Sequence, residues 1–143
     1  MQVPMELRHV PRAHERLIIV DMAGRFTNIF HTAYFPDLPI ASQAEATHVM
    51  RGVWTGHLTN KPMSAHKIGL FIGMPRTTVS RKLAMLVRRG YVRQEGTVYY
   101  VTDETFYKGL AATDRVIDVI IDAGKRLAAL RSARLKRRPK WTP

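Results

Sequence analysis

The residues of this 143-residue chain that are best suited to molecular recognition lie between Arg76 and Lys82, in the run Arg-Thr-Thr-Val-Ser-Arg-Lys. Arginine carries a planar fork of N–H donors that fits flat, paired acceptors, and hydroxyl side chains both donate and accept hydrogen bonds. The run holds no carboxylate, thiol or imidazole that could act as an acid, base or metal ligand. Its chemistry is therefore that of binding an acceptor-rich, anionic surface.

The charge of the chain points to the same kind of partner. Lysine and arginine total 23 against 11 acidic residues, which gives a formal net charge of +12. Such an excess favours a polyanion, either nucleic acid or an anionic membrane. Residues 46–94 contain no Asp or Glu, although nine Lys and Arg residues fall there. Because a solvated surface normally mixes both signs, this stretch is expected to face the polyanion.

Composition and motifs argue against several other functions. There is no cysteine, and the six histidines show no paired ligand spacing, so we expect no disulfide and no metal site. No phosphate-binding loop or nucleophile motif is found, and the acids are scattered, so neither an enzyme nor a cofactor is expected. The start lacks the order of a signal peptide, and every apolar run is too short to span a membrane. We expect a cytoplasmic protein without membrane contact.

Apolar periodicity predicts a mainly α-helical fold with a small β-hairpin. We expect a flexible arm over residues 1–13 and a helix over 14 to about 34 within an N-terminal segment that ends near residue 40. The prolines that follow break this helix. Ser42 and Glu45 form an S-x-x-E pattern, which predicts a capping box at the start of a second helix.

The next elements follow from glycines and apolar spacing. Ser64 is expected to cap a third helix that stops at Gly73, and Pro75 opens a fourth helix that ends at Gly90. β-branched and aromatic residues predict a hairpin over 91–102, with its turn at Glu95-Gly96. A last helix is expected over 103–134, followed by a basic tail over 135–143.

The order helix, helix, glycine turn, helix and hairpin over residues 41–102 resembles that of the winged helix-turn-helix regulators, particularly the multiple-antibiotic-resistance (MarR) type. The resemblance is carried by the run from Gly73 to Leu83 and by the following Leu86, Gly90 and Tyr91-Val92. It implies a sequence-specific transcriptional regulator that binds double-stranded DNA and uses the fourth helix to read the major groove. Repression is the expected mode. The alternative is a phage or plasmid replication or partition factor, or another nucleic-acid-binding adaptor with this fold.

The outer face of the fourth helix holds the expected contacts to bases, because Val79, Leu83 and Leu86 face inward. Arginine suits guanine, and threonine methyl groups suit thymine. Those predicted base contacts are Arg76, Thr77, Ser80 and Arg81. The predicted contacts to the DNA backbone are Ser64, Thr78, Lys82 and Arg93. For the helix residues, the alternative is a capping threonine or a solvated charge.

The hairpin is expected to add less to the predicted interface than the fourth helix does. Its turn carries Glu95, which would repel phosphate, so the tip is not expected to enter a minor groove deeply. For Arg93 the alternative to a DNA contact is a surface pair with Glu95 or with a tyrosine.

The helices at the two ends of the chain are expected to build a homodimer, because one small core would struggle to cover their apolar faces. The alternative is that these helices pack on the winged domain of their own chain. Regulators of the MarR type often bind a small aromatic effector. The resemblance therefore leaves open whether this protein binds one, and no residues are assigned to such a site. The predicted interface residues are Phe26, Ile29, Phe30, Phe106, Leu110, Ile117, Ile120 and Leu127.

Overall fold

The computed structural model describes residues 1–137, and their contacts divide the chain into two compact units. The central unit comprises residues 30–111 and therefore includes the predicted winged segment 41–102. The terminal unit comprises residues 1–29 together with the described residues from Ala112 onward. Two long helices, α1 (Ala13–Tyr34) and α6 (Leu110–Lys136), each contribute residues to both units.

The central unit contains four complete helices and a small three-stranded sheet. The helices are α2 (Ile40–Leu58), α3 (Ala65–Ile72), α4 (Arg76–Arg88) and α5 (Asp103–Lys108). The strands are β1 (Met63–Ser64), β2 (Val92–Glu95) and β3 (Val98–Val101), which form an antiparallel sheet in the order β1-β3-β2. The mainly α fold with a hairpin is confirmed. The sequence missed β1, because two residues are too few to show an alternating pattern.

The core of the central unit is a set of side chains that α2, α3, α4 and the hairpin contribute together. Val49 and Val53 of α2, Ile68 of α3 and Val101 of β3 are completely buried. From α4, the stripe Val79, Leu83 and Leu86 is equally inaccessible. The sequence predicted this stripe, and its burial fixes which face of α4 remains outside.

The turn between α3 and α4 depends on two glycines. Gly73 ends α3 in the left-handed conformation, with φ 71° and ψ 38°, which favours glycine because it lacks a Cβ atom. A Cβ atom on Gly69 would lie 2.7 Å from the carbonyl oxygen of Met74. The two helices therefore approach closely only because residue 69 has no side chain. Ser64 caps α3 as predicted, accepting a hydrogen bond from the amide of Lys67.

The predicted capping box at Ser42 and Glu45 is wrong. Helix α2 begins at Ile40, with Pro39 at the N-cap and no side-chain cap. Ser42 and Glu45 lie inside the helix, and both contact the Lys82 ammonium of α4 instead. Proline at the N-cap moves the start of the helix upstream, which frees the serine and the glutamate for a long-range contact.

The single helix predicted over 103–134 is wrong in one respect, because the structure breaks it at Gly109. Helix α5 begins after Thr102, whose hydroxyl accepts from the amide of Thr105, and closes with Gly109 as its C-cap. The hydroxyl of Tyr34 lies against Gly109, in space that a Cβ atom would occupy. The buried tyrosine therefore occupies the point at which the apolar periodicity suggested a continuous helix.

The terminal unit contains α1 residues up to Ile29 and α6 residues from Ala112, which run antiparallel. Glu15 near the start of α1 lies 3.1 Å from Arg134 near the end of α6. Ile18 and Ala123 are buried, as is Val3 from the segment predicted to be an arm. That segment also forms a short 3₁₀ turn, Met5–Leu7. The tail predicted over 135–143 continues α6 to Lys136, and residues 138–143 lie outside the described part of the chain. Within residues 1–137, no helix has the length and apolar content needed to cross a membrane.

The C-terminal end of α4 is tied to the segment that precedes α2. Arg89 donates two hydrogen bonds to Asp37, at 2.9 and 2.7 Å. This hydrogen bonding from Arg89 lowers the pKa of the Asp37 carboxyl below its ordinary value. The pair is solvent-exposed on the aspartate side, so its contribution to stability is small.

Substitution of Gly69 tests the close approach of α3 and α4. We expect Gly69→Ala to lower the free energy of unfolding by roughly 1–3 kcal/mol, because the new methyl group meets a backbone oxygen that cannot easily move. Urea unfolding followed by circular dichroism measures the change. Gly24→Ala is the matched control, because Gly24 has open space around it in a helix and alanine favours helix formation there. Equal stability of the Gly69 variant and the wild type would contradict the expectation.

The Asp37–Arg89 pair predicts a specific pH dependence. A carboxyl whose pKa is lower in the folded chain stabilises the fold above its unfolded pKa and loses that contribution as the pH falls through the folded pKa. Between neutral and acidic pH, the wild type should therefore lose more unfolding free energy than Asp37→Asn. Urea midpoints at a series of pH values measure this, and Arg89→Met should flatten the profile equally. Parallel profiles of the wild type and Asp37→Asn would rule the pair out as a source of pH dependence.

Candidate nucleic-acid interface

The outward face of α4 presents the four side chains predicted to contact bases. Arg76, Thr77, Ser80 and Arg81 are all exposed. Ala84, one turn further along, is exposed as well and adds little bulk to this face. The helix has 13 residues and is therefore about 20 Å long. Polar donors thus occupy the first two turns of a helix whose opposite face is sealed into the core.

Acidic partners are distributed unevenly among the nine cations of residues 46–94. Lys82 pairs with Glu45, Arg89 with Asp37 and Arg93 with Glu95. Within the described part of the chain, Arg76 and Arg81 have no carboxylate within ion-pair distance. These two arginines, on the exposed face of α4, are therefore available to an anion that comes from outside the chain.

Unlike Arg76 and Arg81, which are exposed, Lys82 is buried, with 8% of its surface exposed. Its ammonium donates to the hydroxyl of Ser42 at 2.9 Å and lies 3.2 Å from a carboxylate oxygen of Glu45. This placement argues against the predicted contact of Lys82 with a phosphate. Lysine is rarely buried without such a partner, because desolvation of its charge is costly.

On the hairpin, Arg93 pairs with Glu95 and with a tyrosine, which is the alternative to a DNA contact given above. Its guanidinium pairs with Glu95 on the same strand and lies over the ring of Tyr100, 4.4 Å from the ring centroid. Tyr100 faces Arg93 across the β2–β3 ladder. The predicted backbone contact by Arg93 would require it to leave Glu95, so the hairpin contributes less positive charge than its sequence suggests.

Two polar residues predicted at the DNA backbone remain accessible. Ser64 is half-buried at the N-cap of α3, where its oxygen accepts from Lys67 while its O–H is still able to donate. Thr78 is half-buried on the side of α4. Neither residue has a charged side-chain partner among residues 1–137.

An aromatic cluster that sequence reasoning missed attaches the hairpin to α2. The backbone N–H of Val101 donates to Nδ1 of His57 at 3.0 Å. The imidazole packs edge-on against Phe106, with centroids 5.2 Å apart, and Phe106 packs against Trp54 at 4.7 Å. The β-branched pattern predicted the hairpin, but no local pattern predicts a histidine that binds it from 44 residues away.

The predicted dimer residues fall into three groups. Phe30 and Phe106 pack against the core of the central unit, as the alternative of intramolecular packing described. Leu110, Ile117 and Ile120 are exposed by 59%, 46% and 50%. The remaining predicted residues, which are half-buried, are Phe26, Ile29 and Leu127.

No cluster of three or more His, Asp or Glu residues among residues 1–137 could hold a metal ion. His57 already uses its Nδ1 to accept a hydrogen bond from the backbone N–H of Val101.

The tri-helical core, the tight α3–α4 turn and the antiparallel hairpin define a winged helix-turn-helix domain. In agreement, residues 59–96 match the family model of the IclR helix-turn-helix domain. The matched range begins directly after α2 and ends in the β2–β3 turn, so it contains α3, α4 and the first strand of the hairpin. The predicted winged helix-turn-helix is confirmed.

Three solved structures are similar to the chain over most of its length. A protein of unknown function from Listeria innocua Clip11262 is 18% identical, with 86% of this chain and 93% of that one covered and a TM-score of 0.49. A probable transcriptional regulator from Pseudomonas aeruginosa is 17% identical over 84% and 95%, with a TM-score of 0.47. A MarR-family transcriptional regulator from Silicibacter pomeroyi is 19% identical over 99% and 100%, with a TM-score of 0.42. No curated protein matches the sequence.

Proposed function

We propose that the protein is a DNA-binding transcriptional regulator that inserts α4 into the major groove of duplex DNA. The observation that carries the proposal is the pair Arg76 and Arg81: both are exposed on the polar face of the second helix of a helix-turn-helix, and both lack a carboxylate partner within residues 1–137. A surface that holds unpaired arginines within the acid-free stretch 46–94 fits a polyanion.

The chemistry of the outward face fits bases as well as phosphates. Arginine donates two hydrogen bonds to the O6 and N7 atoms of guanine, and the methyl group of Thr77 can contact the methyl group of thymine. The major groove is about 12 Å wide and admits one helix. Because Val79 and Leu83 hold the opposite face, Arg76, Thr77, Ser80 and Arg81 would reach base edges together.

Contacts to phosphate would come from the flanks of α4. The hydroxyl groups of Ser64 and Thr78 are accessible and uncharged, so they would set the orientation of the domain without adding positive charge. The exposed Lys67 in the first turn of α3 lies beside Ser64 and would add a charged contact. Arg93 would contribute only after exchange of Glu95 for a phosphate.

The regulator would act as a homodimer that represses a promoter by occlusion. Support for self-association comes from α6, where Ile117, Ile120 and Ile121 recur at helical spacing and are exposed by 46–50%. A two-fold dimer would place two α4 helices on half-sites about one helical turn apart, so the operator would be a palindrome.

Substitution of Arg81 tests the major-groove contact. Selection from a random duplex pool should yield a preferred palindromic sequence. We expect Arg81→Ala to weaken binding to it by roughly 1–3 kcal/mol and to weaken binding to unrelated DNA much less, because a base contact is lost. Fluorescence anisotropy at fixed salt measures both affinities. Arg88→Ala, at the other end of α4, removes the same charge and should spare the preference. Equal losses on the two duplexes after Arg81→Ala would refute the base contact.

Substitution on α6 tests the dimer. We expect Ile120→Asp to raise the dimer Kd by at least about 100-fold, since each copy loses a buried side chain worth roughly 1.5–3 kcal/mol. Sedimentation at several protein concentrations measures the equilibrium. Lys125→Ala, at an exposed polar position of the same helix, is the control. A dimer that survives Ile120→Asp unchanged would show that the interface lies elsewhere.

A further inference from the structure

One cation of α4 points away from the surface that the other polar side chains of this helix share. Lys82 follows Arg81 directly, yet its ammonium lies against α2, within 2.9 Å of the Ser42 hydroxyl and 3.2 Å of Glu45. Ser42 and Glu45 are three residues apart, so they lie on one face of α2 and hold the ammonium from two sides. Ser42 and Glu45 were predicted to cap α2, but both instead contact Lys82, whose predicted contact is a DNA phosphate.

The bridge restrains small movements of α4 that its apolar contacts permit. Contacts of Val79, Leu83 and Leu86 with the core are non-directional and tolerate small rotations or slides of α4. A hydrogen bond, in contrast, weakens steeply with distance and angle. Because Lys82 follows Arg81 in the same helix, any rotation of α4 that moves one of them moves the other.

A bridge of this kind adds little to stability. Desolvation of an ion pair largely offsets its attraction, so replacement of such a pair is often neutral. Fixed geometry is the effect that remains. We propose that Lys82 is a positioning residue, whose bridge to Ser42 and Glu45 sets the orientation in which Arg76 and Arg81 meet the bases. This inference rests on the proposed function of the same helix.

Glu45→Gln gives the sharpest test, because electrostatics and positioning predict opposite results. Removal of an acid from the DNA-binding domain raises affinity for a polyanion if charge alone matters. Loss of the bridge should instead weaken binding to the preferred duplex by a factor between about 5 and 150, equivalent to one lost base contact. Lys82→Met should show the same loss, and the double variant should lose no more than the worse single variant, because both act through one bridge.

Salt dependence separates the bridge from a phosphate contact. Binding of the full chain to the preferred and to an unrelated duplex is measured over a range of salt, at a temperature where circular dichroism shows every variant folded. The slope of log K against log salt should be the same for Lys82→Met and wild type, since Lys82 releases no counterion. Arg81→Met is the control that loses a cation at the DNA itself and should flatten the slope. If Lys82→Met does not fold, Glu45→Gln still decides the matter, because glutamine keeps the size of the side chain and removes the charge that holds the Lys82 ammonium.

Several outcomes would overturn the inference. A flatter slope for Lys82→Met together with tighter binding by Glu45→Gln would show that Lys82 contacts phosphate. Equal losses on the preferred and unrelated duplexes, or no loss at all, would show that the bridge does not orient α4. If wild type and Arg81→Met behave as expected while the bridge variants do not, only this inference fails. A wild type without sequence preference would overturn the proposed function and this inference together.

Discussion

The structure of the candidate interface depends on the burial of one side of α4. Val79, Leu83 and Leu86 have no accessible surface, and they are spaced by four and three residues. Exposure of such a stripe would cost roughly 1.5–3 kcal/mol for each side chain, so rotation of the helix out of this register is strongly opposed. Once the stripe is fixed, helical geometry leaves Arg76, Thr77, Ser80 and Arg81 no direction other than outward.

This constraint also explains why the fold needs its glycines where it has them. Helix α3 supplies Ile68, which is completely buried beside the α4 stripe, and α3 must turn within a few residues to do so. Gly73 permits the left-handed end of α3, and Gly69 lets the backbone of Met74 approach it. The tight turn is therefore a consequence of packing two short helices on the same core.

Features encoded by local spacing could be predicted from the sequence, whereas those set by distant partners could not. The α4 stripe, the Ser64 cap and the Gly73 stop each depend on residues within one or two turns. The S-x-x-E pattern at Ser42 does not reveal its contact with Lys82, 40 positions along the chain. The apolar spacing around Gly109 likewise does not reveal that the Tyr34 hydroxyl lies against this glycine. The outward face of α4 was accordingly easier to predict than the partners of Lys82 and Arg93, because an exposed face follows from the spacing within one helix.

The positions of three acidic residues determine which cations of the domain are paired. Glu45 and Glu95 stand directly on either side of the acid-free stretch, and Asp37 lies a short way before it. Each of these three acids pairs with a cation inside the stretch. Glu45 pairs with Lys82 on the inner side of α4, Glu95 with Arg93 on the hairpin, and Asp37 with Arg89 at the end of α4. These three acids are therefore paired within the chain. Arg76 and Arg81 lie beyond the reach of these carboxylates, so two unpaired positive charges stand among the outward polar side chains in the first half of α4.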